Sequence, residues 1–417
     1  MTLDIELVRS QFPSLAVKDG GRRRIYFDNP AGTQVSKFVT DRISDYFLHH
    51  NANKDGAFVT TRATSAIIDT VRQGMAAFFN AGTVEEVVIG PSMTALTFRM
   101  ARGLESRFAP GDEIIVTSMD HDGNVSPWLQ MAERRGLVVK RLEFDRETYR
   151  YDMAAFERLL TPRTKFAAVN YASNITGTIN EVGAIARRMK ANGGLTYVDA
   201  VQYAPHGVID VQTLGCDFLV CSAYKFYGPH LGILWGRKEL LADMPIDKLR
   251  AAPTYLPGRF EQGSAPFELL AGLLGALHYY AWVGGDKTVF GPFDVPARTS
   301  INAGKLKMLK QEERLAQRLI EGLRALPGIH VHGLTGDNEM SERVSTVSIS
   351  VVGRNPDQLA EALAERNIFV WSGHNYALDV ISHLGLGDAG VLRIGPVHYN
   401  TDGEVDEILS AMKELVA

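Results

Sequence analysis

Two ionisable side chains lie at the ends of neighbouring predicted strands, where they could form a reactive pair. Lys225 follows the apolar strand 217–221 and precedes the turn at 228–229, and Asp199 ends the apolar strand 195–199. Burial or nearby cations can lower the pKa of such a lysine until its amine becomes a nucleophile toward aldehydes. The alternative interpretation is a solvated lysine in a hairpin, since exposed lysines are far more common. The two adjacent strand ends favour the chemical interpretation.

A lysine bound to the aldehyde and an aspartate facing the pyridinium nitrogen are the groups with which proteins hold pyridoxal phosphate. The segment VDAVQYAPHGVIDVQTLGCDFLVCSAYKFYGPHLGILWG, residues 198–236, contains both side chains. It resembles the class V aminotransferase family, and within it the cysteine desulfurase-like branch, over essentially the whole chain. The resemblance implies pyridoxal 5'-phosphate as the cofactor, with Lys225 as its attachment point and general base and Asp199 as the partner of the ring nitrogen.

The order of the predicted elements indicates an α/β fold. Strands and helices alternate from about residue 85 to about residue 240, which predicts a mostly parallel sheet with helices on both faces and a ligand at the carboxyl ends of the strands. The resemblance implies the PLP-dependent transferase fold type I, with a mostly parallel seven-stranded sheet. We expect a large cofactor-binding domain over residues 25–284, a small α+β C-terminal domain over 285–417, and an N-terminal segment, 1–24, packed on the small domain.

The composition excludes several other classes of protein. With 417 residues, of which 45% are hydrophobic and 22% charged, the chain has the make-up of a soluble globular enzyme and exceeds one compact core. A net charge of −4, with no Lys/Arg cluster longer than Arg22-Arg23-Arg24, argues against nucleic-acid binding. No apolar window suits a membrane span, the first residues lack the features of a signal peptide, and no GxGxxG motif follows an early strand to support a dinucleotide site. Cys216 and Cys221 offer neither a disulfide nor a zinc site, so we expect a cytoplasmic enzyme without metal.

The resemblance also assigns residues to the other groups of the cofactor. The turn VVIGPSMTAL opens a helix with hydroxyl side chains, and a helix start offers free N–H groups and a positive dipole end to a phosphate. His121, in DHDGN, matches the histidine that stacks on the cofactor ring. We expect its neighbours Asp120 and Asp122 to favour its charged form, which would suit acid–base work beside the ring. The cofactor-binding residues implied by the resemblance are Ser92, Met93, Thr94, His121, Asn174, Asp199, Gln202, Ser222, Tyr224, Lys225 and Ser264, with Lys225 and His121 as the catalytic pair.

Four of these assignments carry further expectations. Asn174 and Gln202 would hydrogen-bond the ring oxygen. The phenol of Tyr224, which replaces the family's histidine before the lysine, could donate to the phosphate. Ser264 lies in RFEQGSAP, which resembles the segment that reaches the phosphate of the partner subunit. The resemblance therefore implies a homodimer with a shared active site.

The residues assigned to the substrate side match the family's motifs at some positions and differ from them at others. YFDNPAGT resembles the segment that lines the substrate site and places Asn29 there, and Arg393 matches the arginine that grips a substrate carboxylate, which fits a small amino acid. In the loop WSGHNYA we assign His374 and Tyr376 to the substrate. Tyr376 stands where desulfurases have the cysteine that takes up sulfur as a persulfide, and Trp371 replaces a second arginine. Because a phenol cannot form a persulfide, the resemblance does not extend to persulfide relay.

The expected reaction acts on an amino acid through an external aldimine. Loss of the α-proton allows elimination of a β-group, reprotonation on the cofactor or reprotonation on the opposite face, which give a lyase, an aminotransferase or an epimerase. Without the thiol we place β-elimination of the carbon–sulfur lyase type first, with class V transamination and epimerisation behind it. A true cysteine desulfurase is disfavoured by Tyr376. A noncatalytic dimer that keeps the cofactor as structure is the alternative outside catalysis.

Overall fold

The computed structural model describes residues 3–417, in which a seven-stranded sheet, a four-stranded sheet and two short strand pairs are joined by helices. The strands are β1 (Lys18–Asp19), β2 (Arg22–Arg23), β3 (Ile25–Tyr26), β4 (Val87–Gly90), β5 (Glu113–Thr117), β6 (Val138–Leu142), β7 (Thr164–Asn170), β8 (Leu195–Asp199), β9 (Phe218–Ser222), β10 (Gly232–Gly236), β11 (Ile329–His332), β12 (Val347–Val351), β13 (Ile368–Phe369), β14 (Trp371–Gly373) and β15 (Val391–Ile394). The helices are α1 (Ile5–Arg9), α2 (Lys37–Asp45), α3 (Val59–Phe79), α4 (Met93–Leu104), α5 (Ser126–Arg135), α6 (Met153–Leu159), α7 (Val182–Ala191), α8 (Val211–Leu214), α9 (Lys238–Asp243), α10 (Phe267–Gly284), α11 (Arg298–Arg324), α12 (Pro356–Ala364), α13 (Leu378–Leu384) and α14 (Asp402–Val416). None of the helices within these residues combines the length and the hydrophobicity needed to cross a bilayer.

The seven-stranded sheet has the order β4-β10-β9-β8-β7-β5-β6. Strands β5 to β9 pair in parallel, whereas β10 is antiparallel to both of its neighbours. Alternate residues of the central strands enter two separate apolar cores, with Val198 and Leu219 on one face and Tyr197 and Val220 on the other. Burial on both faces is typical of a mostly parallel sheet covered by helices. The predicted fold class is therefore confirmed, and the carboxyl ends of the parallel strands meet at one edge.

Local sequence explains where several helices begin and end. Helix α7 stops at the double glycine that predicted its end, where Gly193 takes a left-handed φ of 75°. Helix α14 begins at a capping box in which the Thr401 hydroxyl accepts the N–H of Glu404 and the Glu404 carboxylate accepts the N–H of Thr401, both at 3.2 Å. The charged pattern of residues 305–326 predicts a helix there, and the observed helix, α11, begins earlier, at Arg298.

The four-stranded sheet, β11-β12-β15-β14, is antiparallel and lies in the C-terminal part of the chain. Helices α12 and α14 and the second half of α11 cover its apolar face. Strand β3, near the N-terminus, pairs in parallel with β13, so that Ile25 and Phe27 are buried in the same core. In the register of the sheet Arg393 stands between Ser348 and Trp371, which places these three side chains on one face.

Helix α11 belongs to the cores of both sheets. Its first half buries Ile301 and Met308 in the core of the seven-stranded sheet, and its second half buries Leu315 and Leu319 in the core of the four-stranded sheet. With 27 residues, the helix is about 40 Å long at 1.5 Å per residue. The cores of the seven-stranded and four-stranded sheets therefore share this helix as a common wall.

The N-terminal segment also contacts both halves of the molecule. Phe12 is buried in the core of the seven-stranded sheet, where its ring packs edge-on against Tyr279 of α10 at a centroid distance of 5.2 Å. Arg9 forms a salt bridge of 3.0 Å with Glu404 of α14. Met1 and Thr2, which the sequence assigned to the same segment, lie outside the described residues.

A buried carboxylate, Glu312 of α11, joins three parts of the chain. Its Oε2 lies 2.6 Å from Nδ1 of His206, and its Oε1 accepts the backbone N–H of His398 at 3.1 Å and the Tyr227 hydroxyl at 3.4 Å. Burial alone would raise the pKa of Glu312, but the charge and hydrogen bond of His206 and the hydrogen bond from His398 lower it to about 2. The carboxylate therefore stays ionised in the core and ties α11 to the loops after β8 and β15.

We expect Glu312→Ala to lower the free energy of unfolding by about 3–5 kcal/mol, because it leaves the buried partners of the carboxylate unpaired. Urea unfolding followed by circular dichroism measures this loss. Since the folded pKa is below the unfolded one, the contribution of Glu312 is present at neutral pH and declines as the pH falls from about 4 toward 2. Glu321→Ala, at an exposed site of the same helix, is the control and should change stability by less than about 0.5 kcal/mol. Equal losses in the two variants would contradict the assignment.

Candidate active site

The carboxyl ends of β7, β8 and β9 and the start of α4 enclose a cavity of about 90 Å³. All of the predicted cofactor residues except Ser264 line it, although they come from separate segments of the chain. The lining residues are Ser92, Met93, Thr94, His121, Asn170, Ala172, Asn174, Asp199, Val201, Gln202, Ser222, Tyr224 and Lys225. A cavity at this edge is where an open α/β sheet binds its ligand.

Lys225 follows β9 within a single 3-10 turn, and its side chain is half-buried. Its Nζ donates a hydrogen bond to the carbonyl oxygen of Pro30. Burial lowers the pKa of Lys225 to about 7, and the positive charge of Arg393 acts in the same direction, while Asp28 and Asp199 oppose them. A large share of the amine is therefore neutral near neutral pH, which is the form that attacks a carbonyl carbon.

Asp199 ends β8 and is almost fully buried. One carboxylate oxygen accepts the N–H of Val201 at 2.8 Å. Burial raises the pKa of Asp199 to about 6, although the Val201 hydrogen bond and the charge of Lys225 act to lower it. Burial deprives this carboxylate of hydration, and a cationic ring nitrogen facing it would stabilise its negative charge. This is the arrangement predicted for the pyridinium nitrogen.

His121 follows β5 and is neutral, which corrects the expectation that it is charged. Its Nδ1 accepts the N–H of Gly123 at 2.9 Å. Burial lowers the pKa of His121 to about 4, and the positive charges of Lys225 and Arg393 lower it further. A neutral imidazole can stack on another ring through its flat face, but it lacks the additional proton that an imidazolium could donate as an acid.

The carboxylates of the acidic neighbours of His121 form hydrogen bonds to other groups and not to its imidazole. Asp120 is buried, which raises its pKa well above the usual range, and it accepts hydrogen bonds from the Thr117 hydroxyl and, at 2.7 Å, from the Asn124 amide. Asp122 accepts the Ser126 hydroxyl at 2.8 and 2.9 Å. Adjacency in sequence was therefore a poor guide to the charges that the imidazole experiences.

The start of α4 has the features of an anion-binding turn. The Ser92 hydroxyl caps the helix by accepting the N–H of Ala95 at 3.1 Å, so the N–H groups of Met93 and Thr94 are left for a ligand. The neighbouring strand approaches this turn closely, because a Cβ atom on Gly232 would lie 2.3 Å from the carbonyl carbon of Ser92. A glycine is therefore required at position 232, and the turn is held at the edge of the cavity.

Two amides in the cavity keep an unused acceptor. Asn174 donates from Nδ2 to the carbonyl oxygen of Asn375 at 2.9 Å, and Gln202 donates from Nε2 to the Thr346 hydroxyl at 2.7 Å. Oδ1 of Asn174 and Oε1 of Gln202 are buried without a hydrogen-bond partner. Buried polar atoms are normally paired, so these oxygens fit a ligand that carries a hydroxyl or N–H group.

Arg393 of β15 lies next to the cavity and is buried. Its Nη1 donates to the carbonyl oxygen of Asn174 at 3.3 Å, while its Nη2 lies 3.9 Å from Oδ1 of Asp28. Burial lowers the pKa of Arg393 to about 10, so the guanidinium remains charged at neutral pH.

The predicted substrate residue Asn29, by contrast, already uses its amide, which donates to the carbonyl oxygens of Gly395 at 2.6 Å and Tyr26 at 3.0 Å. Asn29 therefore anchors the chain at the substrate side.

The loop around Tyr376 forms an outer wall beside His121. The two rings lie 5.5 Å apart at an angle of 30°, and the carbonyl oxygen of Tyr376 accepts the N–H of Asp122 at 2.7 Å. Asn375 and Tyr376 both have left-handed backbones, with φ of 49° and 56°. The N–H of Tyr376 donates to Nδ1 of the exposed His374 at 3.0 Å, and 66% of the Tyr376 side chain is exposed. Tyr376 thus stands between the site and solvent.

Ser264 does not line the cavity that contains Lys225. It is exposed and lines a separate, larger cavity of about 770 Å³ between the start of α4 and the loop that precedes α10. The sequence assigned Ser264 to the partner's site, and this assignment stays a prediction.

The two cysteines lie inside the seven-stranded sheet region, where burial raises the pKa of both thiols. Neither Cys216 nor Cys221 lines the cavity. Within residues 3–417 there is also no cluster of three or more His, Cys, Asp or Glu side chains that could hold a metal ion.

The sequence did not identify every residue of the site. Asn170 ends β7, where its Nδ2 donates to the carbonyl oxygen of Met119 at 2.9 Å and its Oδ1 accepts the Tyr151 hydroxyl at 2.9 Å. Its position at a strand end was the signal that could have found it. Asp28 adjoins a predicted residue, Asn29, but nothing in the sequence indicated that it lies beside Arg393.

Known proteins resemble this chain over almost its whole length. The family described as aminotransferase class-V matches residues 25–288 and 297–408. An "Aminotransferase-like protein FGM3" of Gibberella zeae is 34% identical over 99% of this chain and 98% of its own, and a "Cysteine desulfurase" of Pectobacterium carotovorum is 30% identical over 100% and 98%. Among solved structures, an apo cysteine desulfurase of Thermococcus onnurineus superposes with a TM-score of 0.87 at 28% identity, covering 100% of this chain and 98% of that one.

Proposed function

This chain belongs to the class V aminotransferase family of pyridoxal-phosphate-dependent enzymes, and we propose that it binds the cofactor at Lys225 and acts on a small α-amino acid. The observation that carries the proposal is a half-buried lysine with a pKa of about 7 that shares one cavity with Asp199 and the start of α4. When bound, the cofactor supplies an electron sink for negative charge at the α-carbon of the substrate.

The residues of the cavity fit the groups of this cofactor. Lys225 would hold its aldehyde, and Asp199 would face its ring nitrogen. The start of α4, with Ser92, Met93 and Thr94, would bind its phosphate, assisted by Ser222 and Tyr224. The neutral His121 would stack on the ring, and the unpaired oxygens of Asn174 and Gln202 support a contact with the ring hydroxyl.

Arg393 and Lys225 would divide the work on the substrate. The buried guanidinium of Arg393 would bind the α-carboxylate, because its Nε has no other partner. Lys225, once its amine is free, would remove the α-proton as general base, and a pKa near 7 suits that task at neutral pH.

We propose β-elimination, of the carbon–sulfur lyase type, as the reaction that follows. The relative in Pectobacterium carotovorum is named a cysteine desulfurase. Here, however, Tyr376 stands at the place of the sulfur-accepting thiol, and both cysteines are buried away from the cavity. The β-group would leave with its bonding electrons, and water would hydrolyse the imine form of the remaining carbon skeleton to a keto acid and ammonia. Transamination is the second candidate, favoured by the name of the Gibberella zeae relative.

We further propose that the enzyme is a homodimer with a shared active site. Ser264 is exposed, lines the cavity of about 770 Å³ and does not line its own chain's Lys225 pocket, as expected of a residue that completes a partner's site. A monomeric mass in light scattering of the active enzyme would contradict this arrangement.

A spectral screen of amino acids against the cofactor-loaded protein tests the function. We expect some amino acids to change the visible absorbance of the cofactor and to yield keto acid, ammonia and the free β-group in equal amounts. Keto acid without ammonia would indicate transamination, and loss of optical activity alone would indicate epimerisation. A persulfide on Cys216 or Cys221 during turnover would contradict the proposed lyase, and a spectrum that no amino acid alters would favour a noncatalytic binding protein.

A further inference from the structure

Asp28 and Arg393 form an ion pair that leaves both partners incompletely bonded. Asp28 follows β3 and joins Gly395 in a parallel bridge, so its side chain reaches Arg393 at the end of β15. The distance from Nη2 of Arg393 to Oδ1 of Asp28 is 3.9 Å, which is too long for a hydrogen bond. Oδ1 of Asp28 and Nε of Arg393 are both buried without a hydrogen-bond partner. One unused acceptor and one unused donor therefore lie side by side.

An unpaired buried acceptor costs free energy. Asp28 does not itself line the cavity, but its partner Arg393 donates to the lining residue Asn174, which favours a ligand that contacts Arg393 and also pairs with this acceptor. A carboxylate can satisfy the Nε of Arg393, but it offers no hydrogen to Asp28. The acceptor on Asp28 requires a second group on the ligand, one that carries an O–H or N–H bond. The two atoms together therefore describe a ligand with a carboxylate and a separate hydrogen-bond donor.

The negative charge of Asp28 narrows the class of ligand further. Burial raises the pKa of Asp28 to about 6, with Arg393 and Lys225 acting to lower it, so that the carboxylate is ionised at neutral pH. A cationic donor next to Asp28 would be attracted, and a second carboxylate on the ligand would be repelled at close range.

We propose that Asp28 determines substrate specificity by selecting amino acids whose side chain carries a hydrogen-bond donor, above all an ammonium group, and by rejecting those with a second carboxylate. This inference rests on the proposed function, since it takes Arg393 as the partner of the α-carboxylate. To the proposed function it adds a preference for particular chemical groups on the substrate's side chain.

The test compares Asp28→Asn with the wild type, both loaded with cofactor. Apparent dissociation constants are measured from the absorbance change with four probes of similar size, L-2,3-diaminopropionate, L-serine, L-alanine and L-aspartate. In the wild type we expect diaminopropionate and serine to bind more tightly than alanine, and aspartate to bind most weakly. In Asp28→Asn we expect diaminopropionate to bind about tenfold more weakly and aspartate about tenfold more tightly, with alanine unchanged, since one charged contact is worth roughly a factor of ten.

Asp210→Asn is the matched control, because Asp210 lies 3.5 Å from Arg298 in an ion pair whose hydrogen bonds go to residues outside the cavity. It should leave all four constants unchanged. Thermal melting of each variant reports its folding, and Asp28→Ser must show the same change in preference if Asp28→Asn is unstable.

Equal changes for all four probes would mean that Asp28 only supports Arg393, and would overturn the inference while leaving the proposed function intact. A wild type that binds amino acids without the expected order would do the same. A wild type whose spectrum responds to no amino acid would overturn both proposals, and this outcome is readily told apart from the others.

Discussion

Protein carrying Lys225→Ala is expected to lose its covalently held cofactor and about a thousandfold of its turnover. The substitution removes the amine that would bind the aldehyde and that would also act as general base, and a positioned base alone contributes between about a hundredfold and ten-thousandfold. The measurement is borohydride reduction followed by peptide mass spectrometry, which should place the cofactor on residue 225 in the wild type and on no residue in the variant.

The control for this prediction is Lys238→Ala, at an exposed lysine that pairs with Glu85 outside the cavity. It should retain both the cofactor and the activity. A cofactor adduct on another lysine of the wild type, such as the buried Lys305, would contradict the assignment of Lys225.

Replacement of Arg393 by alanine should lower kcat/KM for amino acids by roughly a hundredfold or more, with most of the change in KM. Truncating one member of a buried charged pair costs about 2–5 kcal/mol, and the partner left unpaired here would be the substrate carboxylate. Amines that lack a carboxylate provide the diagnostic comparison, because their slow reaction should be unaffected. Steady-state kinetics with an amino acid and its decarboxylated analogue measure both effects.

Two further variants define the role of Arg393. Arg393→Lys should recover only part of the loss, since an ammonium cannot bind a carboxylate with two parallel hydrogen bonds. Arg298→Ala removes a half-buried arginine that donates to backbone carbonyls away from the cavity, and it should leave the KM for amino acids unchanged. If amines and amino acids lost the same factor in Arg393→Ala, the arginine would support the fold rather than the carboxylate.

Much of the site was predictable because parallel strands bring distant segments to one edge. Lys225, Asp199 and Asn174 each lie at or after the end of a predicted strand, and the structure brings all three to the same cavity. These positions could be predicted from the order of the strands and helices and from the residues at the end of each strand. The fold class followed from the same alternation, and the end of α7 followed from its double glycine.

Other features depend on contacts between residues that are far apart in the chain. The charge of His121 was predicted from its acidic neighbours, but the groups that determine its pKa are burial and the cations Lys225 and Arg393. The pairing of Asp28 with Arg393 requires β3 to join the C-terminal sheet region, which no local pattern indicates. Electrostatic surroundings of this kind arise only from the folded chain.

The loop at Tyr376 lies between these two cases. The family resemblance of its sequence assigns a phenol to the thiol position, and thus indicates which chemistry to doubt. The stacking on His121 and the left-handed backbone of two successive residues were visible only in the structure. Asn tolerates that backbone conformation better than most residues, whereas a tyrosine there must be held by its surroundings.

The position of α11 limits how this enzyme can be divided or recombined. A fragment cut between residues 284 and 285 would expose the apolar side chains of Ile301 and Met308, and the remaining part would lack one wall of its core. The two halves are therefore not interchangeable modules. A chimaera with a related chain should retain α10 and α11 from the same parent, even if every residue around Lys225 is taken from the other.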